Sequence, residues 1–156
     1  THVDFPRHIY KDGKTSKDFD ITTFIREVKV LDFTHLSSKI GVNNLKLYDI
    51  KENDFLLFKT RNSDIDAFIF DFVYLDKDAA TYLADLKISG VGIDALGIER
   101  EQSGHLSHKA LMAQGIFIIE GLRLKEVSEG TYKMIALPLK LDDVDALPLS
   151  VVLIKE

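Results

Sequence analysis

The sequence has the size of one ordinary globular domain. Its 156 residues are 46% hydrophobic and carry a formal net charge of −5, so the chain can bury a core and offers no strongly basic surface to nucleic acid. No apolar run approaches the roughly 20 residues that cross a bilayer, and cysteine is absent, which excludes disulfides and thiolate chemistry. We expect a single domain over residues 1–156, cytoplasmic, acting on a small molecule without nucleic acid or membrane contact.

The chain opens on a dense group of polar side chains. His2 and Asp4 are two residues apart, so on an extended segment they share one face and can converge on one ion. Pro6 fixes its φ angle and ends strand pairing, which would turn the chain and leave His8 nearby. Because the available ligands are His and carboxylates, the site suits Zn, Mn or a similar divalent ion.

The rest of the chain predicts many strands and few helices. Ser107 is a natural N-cap and Gly115 has the position of a glycine that ends a helix. In chain order we predict a loop at 11–20, strands at 28–33 and 54–60, a helix at 76–86, a strand at 90–94, a helix at 108–114, a strand at 116–120, strands at 132–137 and 150–154, and a solvated acidic loop at 142–145. This pattern indicates a mixed α/β domain.

A second candidate cluster lies in the C-terminal half. His108 opens a helix that leads into an apolar strand ending in Glu120, and Gly115 allows the helix to double back along that strand. A partly buried Glu120 would need a metal, a cation or several donors. The alternatives stay open: His108 as a cap or surface residue, Glu120 in solvent, and Asp94 and Glu99 as active-site or turn residues.

These segments resemble a known family. Residues 1–8 resemble the last eight residues of the H-x-G-T-H-x-D-x-P-x-H signature of the cyclase family of metal-dependent hydrolases, which includes bacterial kynurenine formamidase and isatin hydrolase. Residues 90–94 are similar to the family's Gly-Ile-Asp strand, 107–122 to its His-helix-strand-Glu segment, and 137–141 to its Leu-Pro-Leu stretch. The first His of the signature would precede Thr1, so we expect an N-terminally truncated chain, with natural loss of that ligand as the alternative.

The resemblance implies a fold and a site. It implies a swivelling β/β/α domain with a mixed, open barrel-like sheet and a few flanking helices, assembled as a homodimer or homotetramer. His2, Asp4, His108 and Glu120 would bind one or two Zn or Mn ions, with Asp4 bridging, and His8 would be the acid/base.

The resemblance also implies hydrolysis of a C–N bond in a small amide by metal-bound hydroxide, for example in an aryl formamide such as N-formylkynurenine. The alternatives are a cyclase acting on a small carboxylic substrate and a catalytically impaired binding protein with an incomplete metal site. Phenylalanines at positions 5, 19, 68, 70 and 72 suggest an aromatic or apolar pocket.

Overall fold

A mixed sheet curls into a barrel in the computed structural model, which describes residues 1–67, 69–100 and 103–155. The strands are β1 (His2–Asp4), β2 (Ile25–Asp32), β3 (Lys39–Ile40), β4 (Phe55–Lys59), β5 (Tyr74–Leu75), β6 (Gly90–Ile93), β7 (Phe117–Glu120), β8 (Gly130–Pro138) and β9 (Ala146–Ile154), and the helices are α1 (Val42–Leu45), α2 (Lys77–Asp85) and α3 (Leu106–Met112). The barrel order is β1-β7-β6-β4-β2-β8-β9, with β3 and β5 forming a separate pair.

The predicted mixed, barrel-like sheet with few helices is confirmed. Strands β7, β6, β4 and β2 are consecutive in the barrel and pair with one another in parallel. Strands β4 and β6 are buried along nearly their whole length, as their continuous apolar runs predict. The expectation of an open sheet needs correction, because β1 pairs with β7 on one side and with β9 on the other. This short strand closes the ladder and leaves the barrel without a free edge.

Two apolar cores lie on opposite faces of the barrel wall. One contains Val3, Leu57 and Ile119 and fills the barrel interior. The other contains Ile118 and Leu111 and packs the outer wall against α2 and α3. Since side chains alternate along a strand, the inward direction of Val3 turns its neighbours on β1 outward, toward α3.

The start of α3 differs from the prediction. The helix begins at Leu106, and its N-cap is His105, in the left-handed conformation at φ 54°, so Ser107 lies inside the helix. The Ser107 hydroxyl instead donates to the carbonyl of Leu75. Gly115 adopts a φ of 71°, which suits the predicted helix end because glycine bears no Cβ penalty there.

The described residues contain no helix that is both long and apolar enough to cross a bilayer.

Candidate metal centre

Strands β1 and β7 bring three of the predicted ligands together. His2 is the register partner of Glu120 across the antiparallel pair, and Asp4 shares the outward face of His2. The Nε2 atom of His2 lies 3.3 Å from Oε2 of Glu120 and 3.6 Å from Oδ1 of Asp4. The period of two predicted from the sequence therefore places both β1 side chains on one site.

Helix α3 adds the fourth predicted ligand from above this face. The Nε2 atom of His108 lies 3.3 Å from Oε1 of Glu120 and 3.7 Å from Oδ2 of Asp4. The predicted meeting of His108 and Glu120 is thus confirmed as a contact. The cluster is sheltered, because the side chains of Asp4, His108 and Glu120 are at most 6% exposed.

The donor set fits a divalent cation. Among the described residues, both carboxylate oxygens of Asp4 and Nε2 of His108 are buried without a hydrogen-bond partner. An unpaired buried carboxylate is costly. Ligands held about 2.0–2.2 Å from a tetrahedral ion lie roughly 3.3–3.6 Å from one another, close to the 3.3–3.7 Å separations of this cluster. A cation bound between these residues would satisfy atoms that have no hydrogen-bond partner among the described residues.

The second ring nitrogen of His108 is held by a carboxylate. Its Nδ1 lies 2.7 Å from Oε1 of Glu99, and the backbone N–H of Ser107 donates to Oε2 of Glu99 at 2.9 Å. Metal-binding histidines commonly pair their second nitrogen with a carboxylate in this way. Of the two predicted roles of Glu99, as an active-site residue or as a turn residue, the structure favours the active-site role.

The electrostatics of the cluster reflect its packed carboxylates. Burial lowers the pKa of His108, but the carboxylates of Asp4, Glu120 and Glu99 outweigh it and raise this pKa to about 11. Burial raises the pKa of Glu120, while the neighbouring rings of His108 and His2 bring it down to about 2. The contact with Glu120 raises the pKa of His2 as well. Without an ion, the cluster therefore keeps a proton on His108.

His8 stands beside this cluster. It ends the 3-10 turn Pro6–His8, and its ring centre is 6.0 Å from that of His108. One nitrogen of His8 lies within 4.8 Å of the ligand atoms of Asp4 and His108, so the side chain is within reach of a reacting group. Its Nδ1 lies 3.1 Å from Oδ2 of Asp145.

The acidic segment 142–145 is an exposed loop, as predicted, and it also makes this contact. Its three aspartates are exposed, but Asp145 contacts His8, and the carbonyl of Asp145 accepts from the backbone N–H of Phe5. Asp143 accepts from Thr15 and pairs with Lys17. The loop is therefore anchored to the segment that carries His8.

Asp94 stabilises a turn, which is one of its two predicted roles. Its buried carboxylate accepts from the backbone N–H and hydroxyl of Thr60, from the Asn62 amide and from the Ser63 hydroxyl. Since these donors occupy one short turn after β4, Asp94 ties that turn to the end of β6. His35 is exposed.

The aromatic residues divide between two cavities. Phe5 and Phe19 stack at 5.3 Å and line a cavity of about 340 Å³, whereas Phe72 lines one of about 290 Å³. Phe70 is 73% exposed, and Phe68 lies outside the described residues. Gly121, which follows Glu120 in the chain, is part of the wall of the second cavity.

Comparisons with known proteins identify the family of this chain. The profile of the family described as "Putative cyclase" matches residues 1–100. Kynurenine formamidase of Bacillus cereus (strain ATCC 10987 / NRS 248) is 32% identical over 155 residues, which cover 98% of this chain and 74% of that protein. Kynurenine formamidase of Salinibacter ruber is 34% identical over 156 residues, with the same coverage. The chain belongs to the cyclase family and is a hydrolytic enzyme.

Solved structures give the same picture. A "Potential Metal-Dependent Hydrolase With Cyclase Activity" superimposes with a TM-score of 0.95 at 50% identity, over 97% of this chain and 76% of that one. A "predicted metal-dependent hydrolase from Bacillus stearothermophilus" gives 0.89 at 50% identity, over 97% and 74%. Isatin hydrolase A from Labrenzia aggregata, at 19% identity, shares the fold with a TM-score of 0.85, over 99% and 72%.

Proposed function

We propose that this protein hydrolyses a C–N bond of a small amide, an aryl formamide such as N-formylkynurenine, with His2, Asp4, His108 and Glu120 holding the metal. The observation that carries this proposal is the buried carboxylate of Asp4, whose two oxygens have no hydrogen-bond partner among the described residues. The kynurenine formamidases at 32% and 34% identity support the choice of substrate.

The pairing of oxygens and nitrogens is compatible with one ion or with two. Oδ1 of Asp4 is the oxygen near His2, and Oδ2 is the one near His108. Glu120 divides its oxygens between the same two histidines. Each histidine thus faces one oxygen of each carboxylate, so Asp4 would be the bridging residue if two Zn or Mn ions bound.

The proposed chemistry divides between the ions and His8. A bound divalent ion supplies an acidified water and a polarised carbonyl. His8 would carry the proton to the leaving nitrogen, a role worth typically 10²–10⁴-fold in rate. Asp145 holds Nδ1 of His8 at 3.1 Å, which leaves the other ring nitrogen for proton transfer.

The cavity beside Glu120 is the proposed substrate pocket. A Cβ atom at Gly97 would lie 3.9 Å from both Oε1 of Glu120 and Cζ of Phe72, so the apolar wall and the metal cluster are close neighbours. The cavity of about 290 Å³ that contains Phe72, Leu96 and Gly121 is near the lower end of small-molecule pockets. An aryl ring against Phe72 would place an attached formamide toward Glu120.

The test measures metal content and hydrolysis together. Purified protein is analysed for Zn and Mn, then assayed on N-formylkynurenine with and without a chelator. We expect bound metal and turnover that the chelator abolishes and added metal restores. Metal-free protein without chelator-sensitive turnover would contradict the proposal, and it is the result expected of an impaired binding protein.

A second candidate is a cyclase that acts on a small carboxylic substrate. The neighbour with "Cyclase Activity" at 50% identity favours it, and the same ions and His8 would serve ring closure with loss of water. Incubation with small hydroxy or amino carboxylic acids, followed by mass spectrometry for loss of one water, separates this activity from formamide hydrolysis.

We also propose that the chain forms a homodimer or homotetramer. The outer face of β8 and β9 exposes Leu137, Val152 and Ile154 at 43%, 55% and 43%, and exposed apolar groups of this kind favour association. Light scattering of the wild type should give a multiple of the monomer mass, and Val152→Lys should lower the measured mass. Leu47→Lys, at a loop position that is 79% exposed, should leave the measured mass unchanged. A monomer at all concentrations would contradict this assembly.

A further inference from the structure

We infer that Glu99 is a positioning residue that fixes the ring of His108 and thereby sets the metal affinity of the centre. This inference rests on the proposed function, because it assigns a residue to the proposed metal site. Glu99 and His108 form a 2.7 Å contact in which both side chains are only 6% exposed. Water therefore competes little for either partner.

The contacts of Glu99 fix the carboxylate itself. Its Oε2 accepts from the backbone N–H of Ser107 at 2.9 Å, while its Oε1 faces Nδ1 of His108. Nδ1 of His105 also lies 3.2 Å from Oε1. Three groups from the start of α3 thus hold one carboxylate in place, so the oxygen that meets His108 has a defined position.

The pairing decides which nitrogen of His108 faces the cluster. An ionised carboxylate only accepts hydrogen bonds, so Nδ1 of His108 must carry a proton. The ring then directs Nε2 toward Asp4 and Glu120, at 3.7 and 3.3 Å. Without Glu99, the ring could rotate about its side-chain bonds, and Nε2 would leave its ligand position for part of the time.

A helix cap is the competing explanation for Glu99. Ser107 supplies one of the first N–H groups of α3, which have no partner inside the helix, and a carboxylate there interacts well with the helix dipole. A cap alone would alter stability without altering metal affinity. The two roles therefore predict different measurements.

Three variants separate these roles. Glu99→Gln keeps the volume, but it replaces one of the two oxygens that face Ser107 and Nδ1 of His108 by an NH2 group, which donates and cannot accept. Glu99→Asp keeps the negative charge near the helix terminus and withdraws the oxygens by one methylene. His105→Ala is the matched control, because it removes an exposed neighbour of the same oxygen and leaves the His108 contact in place.

The experiment measures zinc affinity by competition with a chelator, together with thermal unfolding of each metal-free variant. Both Glu99 variants should bind zinc about 10–100-fold more weakly, as is typical when the partner of a metal-binding histidine is lost, and His105→Ala should stay within about threefold of wild type. Glu99 variants that keep wild-type affinity while melting earlier would overturn the inference and leave only the cap.

A second measurement does not depend on metal binding. In the metal-free wild type, the buried Nδ1 proton of His108 should give a downfield, slowly exchanging ring N–H signal by NMR, and Glu99→Gln should lose it. The same signal in Glu99→Gln would overturn the inference. If wild-type protein binds no zinc yet shows this signal and the variant loses it, the proposed function fails while the positioning of His108 stands.

Discussion

Replacing Asp4 by Asn tests the metal centre most directly. The change keeps the shape of a side chain that is 1% exposed and removes the charge of a carboxylate that no described group hydrogen bonds. Because both oxygens face candidate ligands, at 3.6 Å from His2 and 3.7 Å from His108, the loss should fall on metal binding.

The size of the effect follows from binding linkage. Metal at about 100 times its Kd stabilises the folded protein by about 2.7 kcal/mol, which for a chain of this length raises the melting temperature by about 5–11 °C. If Asp4→Asn weakens binding about 100-fold, the same metal concentration equals the new Kd and stabilises by only about 0.4 kcal/mol. The melting temperature should then rise by less than about 2 °C.

The assay is thermal unfolding in chelator and in excess Zn or Mn. Asp49→Asn is the matched control, since this aspartate is 82% exposed in a surface pair with Lys51, and it should keep the full metal-induced rise. Unfolding in chelator verifies that both variants are folded. A full rise in Asp4→Asn would refute the assignment of Asp4 as a ligand.

Three further predictions follow from the same contacts. His8→Gln should lower kcat about 10²–10⁴-fold with metal content unchanged, measured by turnover and elemental analysis; lost metal would instead make His8 a ligand. Asp94→Ala should destabilise the fold by about 3–5 kcal/mol in denaturant unfolding, because Thr60 and Ser63 lose a buried charged acceptor. A change below about 1 kcal/mol would show that the turn forms without the Asp94 carboxylate. Neighbouring carboxylates raise the pKa of His108 to about 11, so a proton must leave Nε2 when an ion binds there. Zinc affinity should therefore rise about tenfold per pH unit between about pH 6 and 8. A flat profile in competition titrations would show that no such proton leaves.

Local patterns predicted the parts of the site that lie on regular elements. The two-residue spacing of His2 and Asp4 placed them on one face of β1, and the apolar run before Glu120 predicted its burial at the end of β7. His108 could be joined to them because Gly115 ends α3 just before that strand. These are short-range signals that depend on side-chain alternation and turn chemistry.

The partners of the histidines could not be predicted in the same way. His8 meets Asp145 across 137 positions of sequence, and the acidic composition of residues 142–145 is equally typical of a loop in water. Glu99 is only nine positions from His108, but its contact depends on α3 starting at Leu106 with His105 in a left-handed conformation. The sequence around Asp94 and Glu99 does not show which of the two carboxylates is structural. Only the hydrogen-bond donors that the tertiary fold brings to each carboxylate distinguish Asp94, which stabilises a turn, from Glu99, which lies beside the site.

The same strand closes the barrel and carries two of the proposed ligands, which couples the metal to the stability of the closure. β1 has only three residues, pairs with β7 and β9, and presents His2 and Asp4 to Glu120 and α3. An ion there joins β1 to both elements, so its removal should favour local opening of this strand. We expect chelator to speed amide exchange in β1 by up to about 100-fold, the equivalent of about 2.7 kcal/mol of binding, while Leu57 on β4 keeps its rate. Equal acceleration at both strands would mean that the ion stabilises the fold globally and does not clamp β1.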